Sequence, residues 1–160
     1  MSYIPKLYLE TTVFNFYFAR KESKKQKDIF RLFHAIEREK FDIYTSEYVY
    51  DEVAKDIPRK FLKMKWLLDK YLQNILDYDQ KILNLADVYV KNGIIPAKHI
   101  TDARHIASAS VNNLDFVVSY NMGHIVKPKT MIGTGFANLH YGYRQIGLCT
   151  PTEVIEYGQN

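Results

Sequence analysis

Cysteine is almost missing from this sequence: Cys149 is the single one in 160 residues. That excludes an internal disulfide and any zinc site built from several thiolates. It sits in the apolar run Ile146-Gly147-Leu148-Cys149, so a buried, inert thiol is expected. Long apolar runs are missing too, and none approaches the ~20 residues needed to span a bilayer. The start, Met1 to Leu9, has no cationic region leading into an apolar one, so no signal peptide is read there and a cytoplasmic location is expected. Neither G-x-x-x-x-G-K-[ST] nor G-x-G-x-x-G occurs, which leaves a nucleotide-binding protein with the usual phosphate loops as the least favoured class. Repeats, low-complexity tracts and linkers are also absent. The chain is read as a single domain over 1–160, a common size for one compact unit.

What is present is enough to build a core. The hydrophobic share is 47% and the formal net charge +4, a mild excess that favours an anionic partner. Its distribution is uneven. Arg20, Lys21, Lys24, Lys25, Lys27 and Arg31 crowd one segment, and Arg59, Lys60, Lys63, Lys65 and Lys70 another. Each reads as a solvated helix face or as a phosphate-binding patch with salt-sensitive affinity.

Along the chain, Lys6-Leu7-Tyr8-Leu9-Glu10 predicts a short strand ending in a carboxylate, with Thr11 and Thr12 capping the helix that follows. After an exposed basic stretch, Ile29, Phe30, Leu32, Phe33 and Ile36 recur at helical spacing. Phe41 to Thr45 predicts a second strand. Ser46 then reads as an N-cap, and Val49, Val53 and Ile57 as a helical stripe that Pro58 ends. Arg59 to Tyr71 is helical, and Asn74 to Asp77 a short strand. A helix through Ile82, Leu85, Ala86, Val88 and Tyr89 stops at Asn92-Gly93. Thr101 is expected to cap a helix reaching Asn112, before the clearest strand, Leu114 to Ser119. Met131 to Tyr143, rich in glycine, asparagine and aromatics, reads as a loop. Ile146 to Cys149 is a last strand, and Thr150-Pro151-Thr152-Glu153 has capping-box spacing with proline at the first helical position. Strands alternating with helices predict a three-layer α/β/α fold around a mostly parallel sheet.

In such sheets ligands collect beyond the carboxyl ends of the strands. Glu10, Glu52, Asp102 and Asn121 fall at those ends or on helices starting there. Clustered carboxylates repel one another, which neutralises one of them or recruits a cation. Hard oxygen donors suit magnesium or manganese. Taken singly, each residue has a structural reading as well; an aspartate in a first helical turn, such as Asp102, stabilises its helix in any case.

Four blocks carry a family resemblance. Tyr8-Leu9-Glu10-Thr11-Thr12-Val13 resembles the opening strand of PIN-domain proteins, and Ser46 to Glu52 their second acidic block. Thr101 to Ala109 resembles the third, an aspartate opening a small-residue helix. Asp115-Phe116-Val117-Val118-Ser119-Tyr120-Asn121 resembles the fourth, in its Ser-aromatic-Asn variant, and the late Thr150-Pro151-x-Glu153 fits one toxin-like subgroup. The resemblance spans nearly the whole chain. It implies a PIN-like fold and an RNA-cleaving nuclease dependent on Mg2+ or Mn2+, with Glu10, Glu52 and Asp102 as metal-binding acids and Asn121 in the fourth place. It also implies a toxin restrained by an antitoxin protein. Glu10 is a methylene longer than the usual aspartate and Asn121 brings no charge, so a weakened module that binds nucleic acid or protein is the alternative.

Neighbouring residues have two readings each. His105, one turn beyond Asp102, faces the cleft to contact phosphate or assist proton transfer, or is a hydrogen-bonded structural histidine. His124 is a substrate contact, a cap or a core contact. Arg104 binds phosphate or is an exposed helix residue. Thr11 and Ser119 hold water near the metal or pair locally. Asp115 is read as a structural turn residue at the opposite end of its strand. The 13 tyrosines and 9 phenylalanines suggest a homodimer.

Overall fold

In the computed structural model, which describes residues 2–21, 23–56, 58–71 and 74–159, the run Leu7-Tyr8-Leu9 is wholly buried. Successive side chains of a strand point to opposite faces, so such a run requires cover on both. The strands are β1 (Lys6–Leu9), β2 (Asp42–Ser46), β3 (Asn74–Leu76), β4 (Phe116–Val118) and β5 (Gly147–Cys149). They form one all-parallel sheet in the order β3-β2-β1-β4-β5, with β1 at its centre. From β1 the chain steps outward to β2 and β3, then returns across β1 to lay down β4 and β5. The reversal opens a crevice at the carboxyl ends of β1 and β4, where open parallel sheets bind ligands.

The helices are α1 (Thr11–Tyr17), α2 (Lys24–Glu37), α3 (Glu47–Asp56), α4 (Pro58–Tyr71), α5 (Gln80–Lys91), α6 (Ile100–Val111), α7 (Pro128–His140) and α8 (Pro151–Gly158), with a 3-10 turn at Ala97–His99. Right-handed crossovers send connections of opposite direction to opposite faces of the sheet. Thus α1 packs with α2 and α2 with α8, while α5 packs with α6 and α7, giving the three-layer α/β/α arrangement. Among the described residues, no helix is long and apolar enough to cross a membrane.

Several ends follow the expected chemistry. Thr150 caps α8 through the Glu153 amide at 3.3 Å, with proline in the first turn. Asn92 ends α5, and Gly93 takes a left-handed φ of 68° that a side chain would strain. Asp115 accepts from the Lys6 amide (2.7 Å), the Tyr3 hydroxyl (2.8 Å) and Arg144 (2.8 Å), so it ties the far end of the sheet together.

Other ends differ. Thr11 and Thr12 lie inside α1, and Glu10 is the cap, accepting from the Thr12 amide. Thr101 lies inside α6, whose N-cap position is His99, with no side-chain cap bond. Ser46 closes β2 and its hydroxyl is held by Tyr8 Oη at 2.6 Å. Of the basic stretch before Ile29, Lys24, Lys25 and Lys27 stand at the start of α2, capped by Ser23, while Arg20 and Lys21 precede it. Ile57 lies outside the described residues.

The largest correction is α7, which was expected to be a loop. Its burial pattern is inverted: Thr130, Thr134, Gly135 and Asn138 face inward, while Ile132, Phe136 and Leu139 are exposed. The buried polar groups are satisfied. Thr134 donates to the Thr130 carbonyl (2.7 Å), Asn138 Nδ2 to Ser110 Oγ and the Arg144 carbonyl (both 2.9 Å), and the Tyr89 hydroxyl to Asn138 Oδ1. Gly133 is there for closeness, since a Cβ would come within 2.8 Å of the Ile94 side chain.

Candidate functional site

Glu10 is delivered to the crevice by the last step of β1, where the chain turns into α1. Its amide still bonds the Val118 carbonyl of β4 at 3.1 Å, so the residue is locked between the two central strands. The side chain is 3% exposed. One oxygen, Oε2, accepts from the Thr12 amide (3.1 Å), the Thr12 hydroxyl (2.6 Å) and the Ser119 hydroxyl (2.7 Å). Those hydroxyls are aimed in turn: Thr12 Oγ1 accepts from the Tyr120 amide at 2.8 Å and Ser119 Oγ from the Asn121 amide at 2.9 Å. The backbone leaving β4 thus orients the donors that hold Glu10.

Glu52 arrives from α3, and its Oε1 accepts from Thr11 Oγ1 at 2.9 Å and from His105 Nε2. His105, on α6, is completely buried, with Nδ1 2.7 Å from Tyr8 Oη. Ser46, Tyr8, His105 and Glu52 therefore form a continuous hydrogen-bonded chain beneath the crevice. With a charged imidazole both ring nitrogens donate, and Tyr8 passes its proton toward Ser46; with a neutral ring the Tyr8 hydroxyl donates to Nδ1.

The ligand atoms of Glu10, Glu52 and His105 lie within 4.8 Å of one another. Oε2 of Glu10 and Oε1 of Glu52 carry the bonds described, so each carboxylate has a second oxygen to offer. The three residues lie near enough to one another to hold a metal ion, and because both nitrogens of His105 are hydrogen-bonded, the second oxygens of the two carboxylates are the donors left for it.

Asp102 was expected beside Glu10 and Glu52. It stands in the first turn of α6 in a second group, with His99 and His124, whose ligand atoms also lie within 4.8 Å of one another. The two groups are electrically adjacent, since Asp102 feels the charges of both His105 and Glu52. Asn121, expected as a fourth ligand, uses Oδ1 to accept the His124 amide at 3.0 Å and shapes the turn after β4. Arg104 lays its guanidinium over the Tyr48 ring, 5.7 Å from its centroid, and its buried Nε has no hydrogen-bond partner among the described residues.

Burial and charge compete at each titratable group. Burial raises the Glu10 pKa above its ordinary 4.5, against the opposing pull of His105, Thr12 and Ser119. Burial also acts to raise Glu52, but the hydrogen bond and charge of His105, with Thr11 and Lys55, outweigh it and the pKa is lowered. His105 is the mirror case: burial disfavours its charge, yet Glu52, Glu10 and Asp102 raise its pKa above 6.5. Asp102 is raised by burial. The Cys149 thiol is pushed by burial up to about 12, in keeping with an inert core residue.

Sequence reasoning found Glu10, Glu52, His105, Thr11 and Ser119 and missed three participants. Tyr8 was read only as part of the first strand and Thr12 as a cap. His99 lies in a stretch with no periodicity, and its spacing of three residues from Asp102 was the available signal. No protein-family model matches the chain, and no curated protein matches it significantly.

Proposed function

We propose that this chain is a PIN-type endoribonuclease that depends on Mg2+ or Mn2+, acting as the toxin of a toxin–antitoxin pair in the cytoplasm. The observation that carries the reading is the meeting of Glu10, Glu52 and His105 where the strand order reverses, with Asp102 in electrostatic reach. Glu10 and Glu52 would hold the ion through their second oxygens, and Asp102 would add charge from the edge of α6. When bound, the ion supplies Lewis-acid charge to the scissile phosphate. Thr11, Thr12 and Ser119 orient the carboxylates, and His105 holds Glu52 in place from below.

RNA would enter over the rim. Lys25, stacked 5.0 Å from the Phe16 ring and 5.3 Å from that of Tyr120, and Arg104 are the cations suited to its phosphates. An antitoxin and a second copy of this chain are the proposed protein partners, and the exposed Ile132, Phe136 and Leu139 of α7 suit the latter. The test is cleavage of a fluorescent single-stranded RNA with Mg2+, Mn2+ or chelator. We expect metal-dependent cutting that falls at least ~10-fold in Glu52→Gln and in Asp102→Asn. Cutting that survives both substitutions at saturating metal defeats the assignment.

One observation favours a second reading. His105 already donates Nε2–H to Glu52 and lies beside Glu10, serving as a built-in counter-charge. A non-catalytic module that binds nucleic acid or protein would need no more than that. Calorimetric titration with Mn2+ of the parent and of Glu52→Gln separates the two, because no heat of binding that depends on Glu52 at millimolar metal leaves this second reading ahead.

A further inference from the structure

Outside the Glu10–Glu52–His105 group lies a set of donors with different chemistry. His99 ends the 3-10 turn before α6, its amide tied to the Pro96 carbonyl at 2.8 Å. Asp102 follows three residues later on the same face of the helix, and its Oδ2 is 3.7 Å from His99 Nδ1. His124 comes from the turn after β4, and its backbone is held on both sides. Its amide donates to Asn121 Oδ1 (3.0 Å), and its carbonyl accepts from Thr130 Oγ1 (2.9 Å). The two imidazoles stack, with centroids 3.6 Å apart and planes inclined by 25°. His124 Nδ1 is shut off from water and has no hydrogen-bond partner among the described residues. Folded proteins rarely leave a buried polar atom in that state.

We propose that His99, Asp102 and His124 form a binding site for a borderline transition-metal dication, Zn2+ above all. The donor set is two imidazoles and one carboxylate, which suits zinc and is a poor match for magnesium, an ion that prefers oxygen donors throughout. Bonds of about 2.0–2.1 Å in a tetrahedral zinc site place neighbouring donor atoms roughly 3.4 Å apart. The His99–Asp102 separation of 3.7 Å is already near that spacing and all three donors lie within 4.8 Å of one another, so the site closes once the stacked rings turn to point their nitrogens at a common ion. The ion takes the place of the missing partner at His124. Three protein ligands leave a fourth position for water or a ligand oxygen. The site uses neither Glu10 nor Glu52 and stands whether or not the chain cuts RNA.

The test is a titration of the full-length, tag-free protein with Co2+, a spectroscopic substitute for zinc, followed by visible d–d absorption. One equivalent gives bands typical of a low-coordinate site, which Zn2+ abolishes and a large excess of Mg2+ does not. His99→Ala and His124→Ala each weaken Co2+ binding by more than ~10-fold, whereas Glu52→Gln leaves it within twofold. In the unsubstituted protein, long-range proton–nitrogen NMR spectra of the imidazoles give the same answer without relying on a variant that folds. Zn2+ shifts the ring nitrogens of His99 and His124 and leaves those of His105 in place. Absence of Co2+ bands, bands lost in Glu52→Gln but kept in the histidine variants, or a zinc shift confined to His105 would each overturn the proposal.

Discussion

The two donor groups at the rim differ less in composition than in how fully the protein already satisfies them. In the inner one, Glu10 is held by Thr12 and Ser119, Glu52 by Thr11 and His105, and both nitrogens of His105 have partners. In the outer one, His99 and Asp102 sit at 3.7 Å and His124 Nδ1 is buried without a hydrogen-bond partner among the described residues. Proximity alone would rank the groups equally. Hydrogen-bond satisfaction separates a network that protein groups complete from one that leaves a buried nitrogen without a partner among the described residues.

The sharpest way to break the contrast is to delete one histidine from each group. His105→Ala empties a fully buried position and leaves Glu52 without the imidazole that links it to Tyr8. Losing one partner of a buried ionic network costs ~3–5 kcal/mol, and the lower end applies here because the Glu52 side chain is 34% exposed. His124→Ala removes a ring whose Nδ1 has no hydrogen bond to lose among the described residues, so the change should stay within about 1 kcal/mol. Urea unfolding of both variants at one pH measures the difference. Equal losses would mean that the two groups are held in the same way.

A smaller effect comes from pH. The His105 pKa is raised above its ordinary 6.5, so its contribution to stability is complete below that value and is lost as pH rises through the folded-state pKa. For Glu52, lowered from 4.5, the contribution is present above 4.5 and is lost as pH falls through the depressed value. Glu10 and Asp102, both raised by burial, act with the opposite sign and are least unfavourable when protonated, so they soften the acid limb. Unfolding midpoints should therefore decline from near neutrality upward, by no more than about 1.4 kcal/mol per pH unit for one proton. His105→Gln should flatten that decline, and His124→Gln should leave it in place. A decline that survives in His105→Gln assigns the proton to another group.

How much of this was legible beforehand depends on whether a residue's role follows from its immediate neighbours. The strand Lys6–Leu9 with a carboxylate at its end, the cap at Thr150 and the stop at Gly93 are local patterns, and each reads directly. The fold class followed from their alternation. The helix α7 did not, because its buried face is small and polar and its exposed face apolar, the reverse of the usual binary pattern. The polar groups there are satisfied by Tyr89, Ser110 and the Arg144 carbonyl, partners remote from any local window. The site shows the same divide. Glu10 and Glu52 were legible as chemically suitable residues, but they were grouped with Asp102 and Asn121 rather than with His105, and the pairing of Asp102 with His99 and His124 was not legible, since it depends on how the turn after β4 folds back over α6.

That turn gives the finest test of the comparison. Asn121 Oδ1 accepts the His124 amide at 3.0 Å, and the Asn121 carbonyl accepts from the Ile125 and Val126 amides at 3.1 and 2.9 Å. Only the first bond needs the side chain, so Asn121→Ala removes one acceptor, much as losing a helix cap does, at about 1 kcal/mol. Asn121→Asp keeps an oxygen in reach of the same amide and should fall within ~0.5 kcal/mol of the parent in urea unfolding. The inner group should not notice either change, because its link to this turn is the backbone amide of Asn121 on Ser119 Oγ, which both variants retain. An NMR shift of the His105 ring nitrogens in Asn121→Ala comparable to that of His124 would show that the two groups are one network, joined through the turn.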